Sequence, residues 1–132
     1  MLYEVRFSSN LAAVYIHYEQ WEKAQPLLFD NLEFFTQSQD VNNVAKTKYN
    51  LGNAFFEQGR YEDALRFYQE VEGLSDSIAT RRKIHPDLIH NISLTHAKLE
   101  NFKLAYEYEN LATLLNDSLY QQRARQLAAE RN

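Results

Sequence analysis

Compared with itself at a shift of 40 or 41 residues, this sequence returns the same pattern three times, and that self-similarity limits its fold more tightly than any other feature. Asn10-Leu11 recurs as Asn50-Leu51 and as Asn91-Ile92. Trp21, Tyr61 and Phe102 occupy one further position, and an alanine follows each three residues later, as Ala24, Ala64 and Ala105. Each unit of such an array is a supersecondary element that buries its apolar face only by stacking on its neighbours.

The periodicity inside a unit is helical. A ring stands four residues after each Leu or Ile, as Tyr15, Phe55 and His96. The stripes Leu11-Val14-Tyr15-Tyr18, Leu51-Ala54-Phe55-Gln58 and Ile92-Thr95-His96-Leu99 keep the three-and-four spacing of one helix face. After a short break a second stripe begins, in the first unit Trp21, Ala24, Leu28, Leu32 and Phe35. Each unit therefore reads as a helical hairpin. First helices are expected over 3–18, 41–58 and 86–99, and second helices over 21–37, 61–74 and 102–115. The recurring alanine and Gly52 are small residues of the kind that let helix axes approach closely. With 3 Gly and 2 Pro in 132 residues, the turn signals of a sandwich, barrel or doubly wound sheet are missing, so the chain is read as all-α.

Composition excludes several function classes. Fourteen basic against eighteen acidic side chains leave a net charge of −4, the wrong sign for gripping a phosphate backbone, so nucleic acid is not an expected partner. The imbalance is concentrated in residues 1–44, which hold two basic and six acidic residues. No segment approaches the roughly 20 apolar residues of a membrane span, and no secretory leader pattern opens the chain. Read as written, the chain is expected to be cytoplasmic, or periplasmic if it is a fragment of a membrane-anchored sensor. The absence of Cys removes disulfides and thiolate metal sites.

Little suggests catalysis or a cofactor. His85, His90 and His96 are five and six apart, so a helix does not set them at the i,i+4 spacing of a metal pair; His96 is read as a core histidine with a polar partner. Gly52, Gly59 and Gly73 match no phosphate loop, and carboxylate neighbours such as Glu62-Asp63 read as a solvated helix face. Arg81-Arg82-Lys83 is read as cations following a helix C-terminus, where they complement its dipole. No enzyme activity, cofactor or metal is expected.

The informative surface lies on the first helices opposite the packed stripe, since positions offset by two sit about 200° around a helix. It carries Arg6, Ser9, Ala13, Ile16 and His17 in the first unit, and Lys46, Tyr49, Asn53, Phe56 and Glu57 in the second. In the third it carries Asp87, His90, Leu94, Ala97 and Lys98. Two readings stand: the apolar members contact a partner, or Ile16, Phe56 and Leu94 pack against neighbouring hairpins.

The run Asn50-Leu51-Gly52-Asn53-Ala54-Phe55-Phe56-Glu57-Gln58-Gly59-Arg60-Tyr61-Glu62-Asp63-Ala64 resembles the tetratricopeptide repeat (TPR) signature in its leucine, both glycines, aromatics and alanine. The outer units depart from it: Ala12 and Ser93 replace the first glycine, Glu19 and Glu100 the second, and Glu109 stands where the family has an aromatic. The resemblance implies a right-handed superhelix of three hairpins, repeats at about 3–40, 41–84 and 85–117, in one domain. A separate C-terminal helix near 118–131 follows, capped by Asp117 or Ser118. It also implies a concave face that binds a peptide or helix through His17, Tyr49, Asn50, Asn53, Phe56, Glu57, His90, Asn91, Leu94 and Lys98; the recurring asparagines equally match a family residue that ties adjacent helices. The solenoid ends could join copies into a homo-oligomer. The carboxylate clamp of chaperone-binding members is disfavoured, because Ser9, Ala13, Asp87 and Asn91 occupy its other positions and only Asn50 matches. The 40-residue pitch resembles that of bacterial sensor and regulator proteins. Leu114 to Leu119 is similar to the exit from arrays linked to histidine kinases or diguanylate cyclases, so the chain is expected to be a sensing or docking part of a larger signalling protein. A stand-alone adaptor or self-association unit is the alternative.

Overall fold

The computed structural model describes residues 2–77 and 86–131, and the described residues form six α-helices and no strand. They are α1 (Leu2–His17), α2 (Trp21–Gln37), α3 (Val41–Glu57), α4 (Tyr61–Ser77), α5 (Pro86–Lys98) and α6 (Phe102–Arg131). Consecutive helices pack on one another throughout, α1 on α2 and so on to α6, which is the stacking of a helical solenoid. Connections of three residues join α1 to α2, α2 to α3, α3 to α4 and α5 to α6, so the long pitch comes from helices of 16 and 17 residues in the first two hairpins rather than from linkers. Arg81-Arg82-Lys83 and His85 lie outside the described residues.

Each short connection is built the same way. The residue after the turn's first position adopts a left-handed backbone: Glu19 (φ 58°), Gln39 (φ 57°), Gly59 (φ 77°) and Glu100 (φ 64°). Its N–H and the next one then reach back to two carbonyls of the ending helix, Glu19 N to Ile16 O at 3.0 Å and Gln20 N to Tyr15 O at 2.8 Å. The pair repeats at Gly59 and Arg60, and at Glu100 and Asn101. This is the Schellman geometry that satisfies the last carbonyls of a helix. The family's second glycine thus marks a conformational requirement, which Glu19 and Glu100 meet at a steric cost of about 1 kcal/mol or more. Asp40 caps α3 by accepting from the Asn43 N–H at 3.3 Å, while the Asn43 side chain returns a bond to Asp40 Oδ2 at 2.7 Å.

The core runs along the hairpin interiors through Ala12, Ala24, Leu28, Leu51, Phe55, Ala64, Phe67, Tyr68, Val71, Leu88, Ile89, Ile92 and Ala112. The three repeating alanines are buried at the crossings. In the second hairpin the crossing is so close that a Cβ on Gly52 would stand 2.5 Å from Cε1 of Tyr68. At the matching position of the third hairpin Ser93 is buried, and its hydroxyl donates to the Ala105 carbonyl of α6 at 2.6 Å, so the polar substitute is satisfied within the contact. Phe55 stacks on Phe67 at 5.6 Å between centroids, and Phe29 of α2 meets both rings edge-on.

Two expectations are corrected. The C-terminal helical segment forms, but not as a seventh, separately capped helix: α6 runs unbroken from Phe102 to Arg131, through Asp117 and Ser118. No Gly or Pro interrupts residues 102–131, and Asp and Ser are only weakly unfavourable inside a helix. The apolar stripe expected to pack in the first helix is also only partly covered. Leu11 and Tyr15 are half-buried, whereas Val14 is 49% and Tyr18 69% exposed. Of the corresponding residues Leu51, Ala54, Phe55, Ile92, Thr95 and His96 are buried and Gln58 and Leu99 half-buried; α3 and α5 each pack on the second helix of the hairpin before as well as on that of their own, and among the described residues α1 has no preceding helix.

Candidate functional site

The first helices carry the surface of interest, and their side chains register from one hairpin to the next. Asn91 of α5 reaches across to α3, donating from Nδ2 to the Tyr49 hydroxyl at 2.9 Å and to Asn53 Oδ1 at 3.3 Å. Asn53 Oδ1 also accepts the Tyr68 hydroxyl from α4. Four polar side chains on three helices therefore close one network, with the Tyr49 and Tyr68 rings 5.9 Å apart. Burial raises the Tyr68 pKa most, helped by the neighbouring Tyr49 and Glu57; burial also raises that of Tyr49, with the Asp87 carboxylate adding to it. Both phenols stay protonated at neutral pH and serve as hydrogen-bonding groups.

The same two positions in the third hairpin hold a different pair. A shift of 41 takes Tyr49 to His90 and Tyr68 to Glu109, and there His90 Nδ1 lies 2.7 Å from Glu109 Oε2. The acid that departs from the family pattern has a partner that departs with it. Position by position, an aromatic contact in one hairpin has become a polar one in the next. Sequence reasoning missed Tyr68 as part of this surface because it lies on a second helix; the signal available was the paired change at 49/90 and 68/109.

None of the fifteen residues placed on the outward face of the first helices is buried. His17 is exposed with its ring against Tyr18, 5.1 Å between centroids. Glu57, His90 and Lys98 are exposed, Leu94 is 40% exposed, and Tyr49, Asn50, Asn53 and Asn91 are half-buried. Phe56 and Ile16 are half-buried against the core, and Phe56 is edge-on to Tyr61 of its own hairpin at 5.2 Å. The structure brings Tyr49, Asn53 and Asn91 together and leaves His17 on a different helix from that cluster.

Histidine chemistry divides cleanly. His90 pairs with an acid on the open side, whereas His96 is buried, stacked on Tyr108 at 5.6 Å, with Asn101 Nδ2 3.4 Å from its Nδ1. Burial lowers the His96 pKa from its ordinary 6.5. Its position four residues after Ile92 is the ring position of the stripe, as read from the sequence. Among the described residues no cluster of His, Cys, Asp and Glu has the composition of a metal site, and every buried side-chain nitrogen or oxygen has a hydrogen-bond partner. No helix of the described residues is long and apolar enough to cross a membrane.

A profile of the tetratricopeptide repeat matches residues 4–76, more than half of the chain. Among solved structures, the TPR domain of Arabidopsis FLU superposes with a TM-score of 0.81 at 17% identity, covering 87% of this chain and 96% of that one. The MSR-1 form of MamA gives 0.69 at 18% identity, covering 86% of this chain but 58% of MamA. The AMB-1 form of MamA also gives 0.69 at 18% identity, covering 86% of this chain and 60% of that one, so the chain spans less than two thirds of either MamA form. At such identities the likeness carries the fold alone.

Proposed function

We propose that this chain, which belongs to the tetratricopeptide repeat family, is a non-enzymatic protein-interaction module that docks a peptide or helix along the face formed by α1, α3 and α5. One observation carries the reading. The outward residues of the first helices stay exposed or half-buried in all three hairpins, while the Tyr49-Asn53-Tyr68-Asn91 network links α3 and α5. A surface fixed before binding loses less freedom on association than a mobile one. The residues with room to touch a ligand are His17, Glu57, His90, Leu94 and Lys98, and half-buried Tyr49, Asn50, Asn53, Phe56 and Asn91 supply the floor. The mixture of Leu94, Lys98, Glu57 and His90 suits an amphipathic segment of mixed charge rather than a purely anionic tail.

A sensing or docking role within a larger bacterial signalling protein is the finer form of this proposal. It is supported by α6, whose residues 116–130 continue, all exposed, past the last residue packed on the core, Leu115. A helix of that kind can join an array to a following module. Peptides selected from a random library on the intact chain test the docking surface. Leu94→Asp and Lys98→Glu change exposed side chains and are expected to weaken selected ligands at least tenfold with the fold intact. Ligands that bind both variants as tightly as the parent would remove the surface from consideration.

A further inference from the structure

The step from α1 to α3 repeats the step from α3 to α5 in register but not in content. In the second step Asn91 is held by Tyr49 and Asn53 of the first helix before it, and Asn53 is held in turn by Tyr68. A shift of 41 takes Asn91 back to Asn50, and a shift of 40 takes Tyr49, Asn53 and Tyr68 back to Ser9, Ala13 and Leu28. None of these three can play the same part: Ser9 has no ring, Ala13 no amide and buried Leu28 no hydroxyl. Half-buried Asn50 accordingly has no side-chain hydrogen-bond partner among the described residues, although its counterpart Asn91 has two.

The space that a ring at position 9 would fill is open. Ser9 lines a cleft of about 500 Å³ that is walled by α1 and α3 and also lined by Phe34 and Phe35 of α2. The cleft lies between described helices inside the array, and its lining residues Arg6 and Ser9 belong to the outward face of α1. The charge of the two steps differs as well. Exposed Arg6 and Lys46 stand on α1 and α3 at the positions where the next step has Lys46 and Asp87. Asp40, the acid in the lining, already accepts from both the backbone and the side chain of Asn43.

We infer that the α1–α3 step is the specificity subsite of the docking face, and that it takes a tyrosine of the partner with an acidic residue beside it. The inference rests on the α1-α3-α5 docking proposal and names what is read there. The partner's phenol oxygen accepts from Asn50 Nδ2, as the Tyr49 hydroxyl accepts from Asn91, and its ring enters the space over Ser9. The neighbouring carboxylate lies toward Arg6 and Lys46. A main-chain carbonyl would also accept from Asn50, but it would leave the cleft unfilled. A ring carrying the oxygen is the solution that the second step already uses.

Peptides selected from a random library on the intact chain, with affinities measured by titration, test this. The ligands are expected to carry a tyrosine beside an acid. Replacing that tyrosine by phenylalanine should weaken binding about threefold to tenfold, the loss of one hydrogen bond, and should cost nothing further on Asn50→Ala. Ser9→Tyr/Ala13→Asn installs the residues of the second step at a half-buried and an exposed position. It is expected to weaken the tyrosine peptides at least tenfold, with circular dichroism showing an intact fold. Ligands that lack tyrosine, or whose loss on phenylalanine replacement is undiminished on Asn50→Ala, would overturn the inference; if Leu94→Asp or Lys98→Glu still weakens them, the docking face survives that failure. Ligands indifferent to all of these changes would remove the face and its subsite together.

Discussion

At the level of single residues, the family pattern turns out to record geometry, and the departures from it are compensated locally. Gly52 leaves the space that the Tyr68 ring fills, and Ser93 at the matching site bonds to the Ala105 carbonyl. Gly52→Ala gains up to about 1 kcal/mol of helix propensity but drives a methyl into a buried ring, so a net destabilisation of about 1–2 kcal/mol is expected by urea denaturation. Tyr68→Leu in the same chain removes the clash, and the Gly52→Ala cost measured in that background should shrink. An unchanged cost would place the tight contact elsewhere. His96 supplies a pH dependence of definite sign. Its folded pKa lies below 6.5, so the unfolded chain takes up a proton first as pH falls, and stability declines as pH drops below about 6.5. Thermal melts between about pH 7.5 and 5.5 should show the decline in the parent and a weaker one in His96→Phe, whose ring can keep the stack on Tyr108. Equal slopes in the two proteins would mean that His96 is not the group responsible.

At the level of helices, most of the fold is legible in the sequence because spacing alone carries it: α1, α2, α3 and α5 lie within a residue of the expected positions. What sequence does not supply is the consequence of position within the array. The stripe containing Val14 and Tyr18 has the same spacing as the one containing Ala54 and Gln58, yet among the described residues Val14 and Tyr18 are exposed while Ala54 is buried and Gln58 half-buried, a difference that spacing does not encode. The unbroken α6 departs from expectation for the opposite reason. Asp117 and Ser118 are good cap residues, but a cap forms only where the chain turns, and nothing between Phe102 and Arg131 makes it turn. The helix register itself is open to test at Ala64, which is fully buried at the α3–α4 crossing. Ala64→Leu should cost about 1–3 kcal/mol by overpacking, and a melting curve identical to the parent's would contradict the register.

For the molecule as a whole, the repeat produces two kinds of surface. Along its length, the first helices present the mixed side chains from His17 to Lys98, with α3 and α5 tied together by a network whose members Tyr49, Asn53 and Asn91 stand out in the sequence but whose fourth member, Tyr68, does not. Tyr68 escapes because hydrogen bonds across helices depend on how hairpins lean on each other, which periodicity does not encode. In its first hairpin Phe7, Val14 and Tyr18 form a second, apolar surface that is exposed among the described residues. The central claim concerns the first of these surfaces, and amide chemical-shift mapping of the intact chain with a library-selected peptide tests it directly. The largest perturbations are expected at His17, Glu57, Leu94, Lys98 and their neighbours on α1, α3 and α5. Perturbations centred on the outward sides of α2 and α4, with α3 and α5 unmoved, would contradict the account.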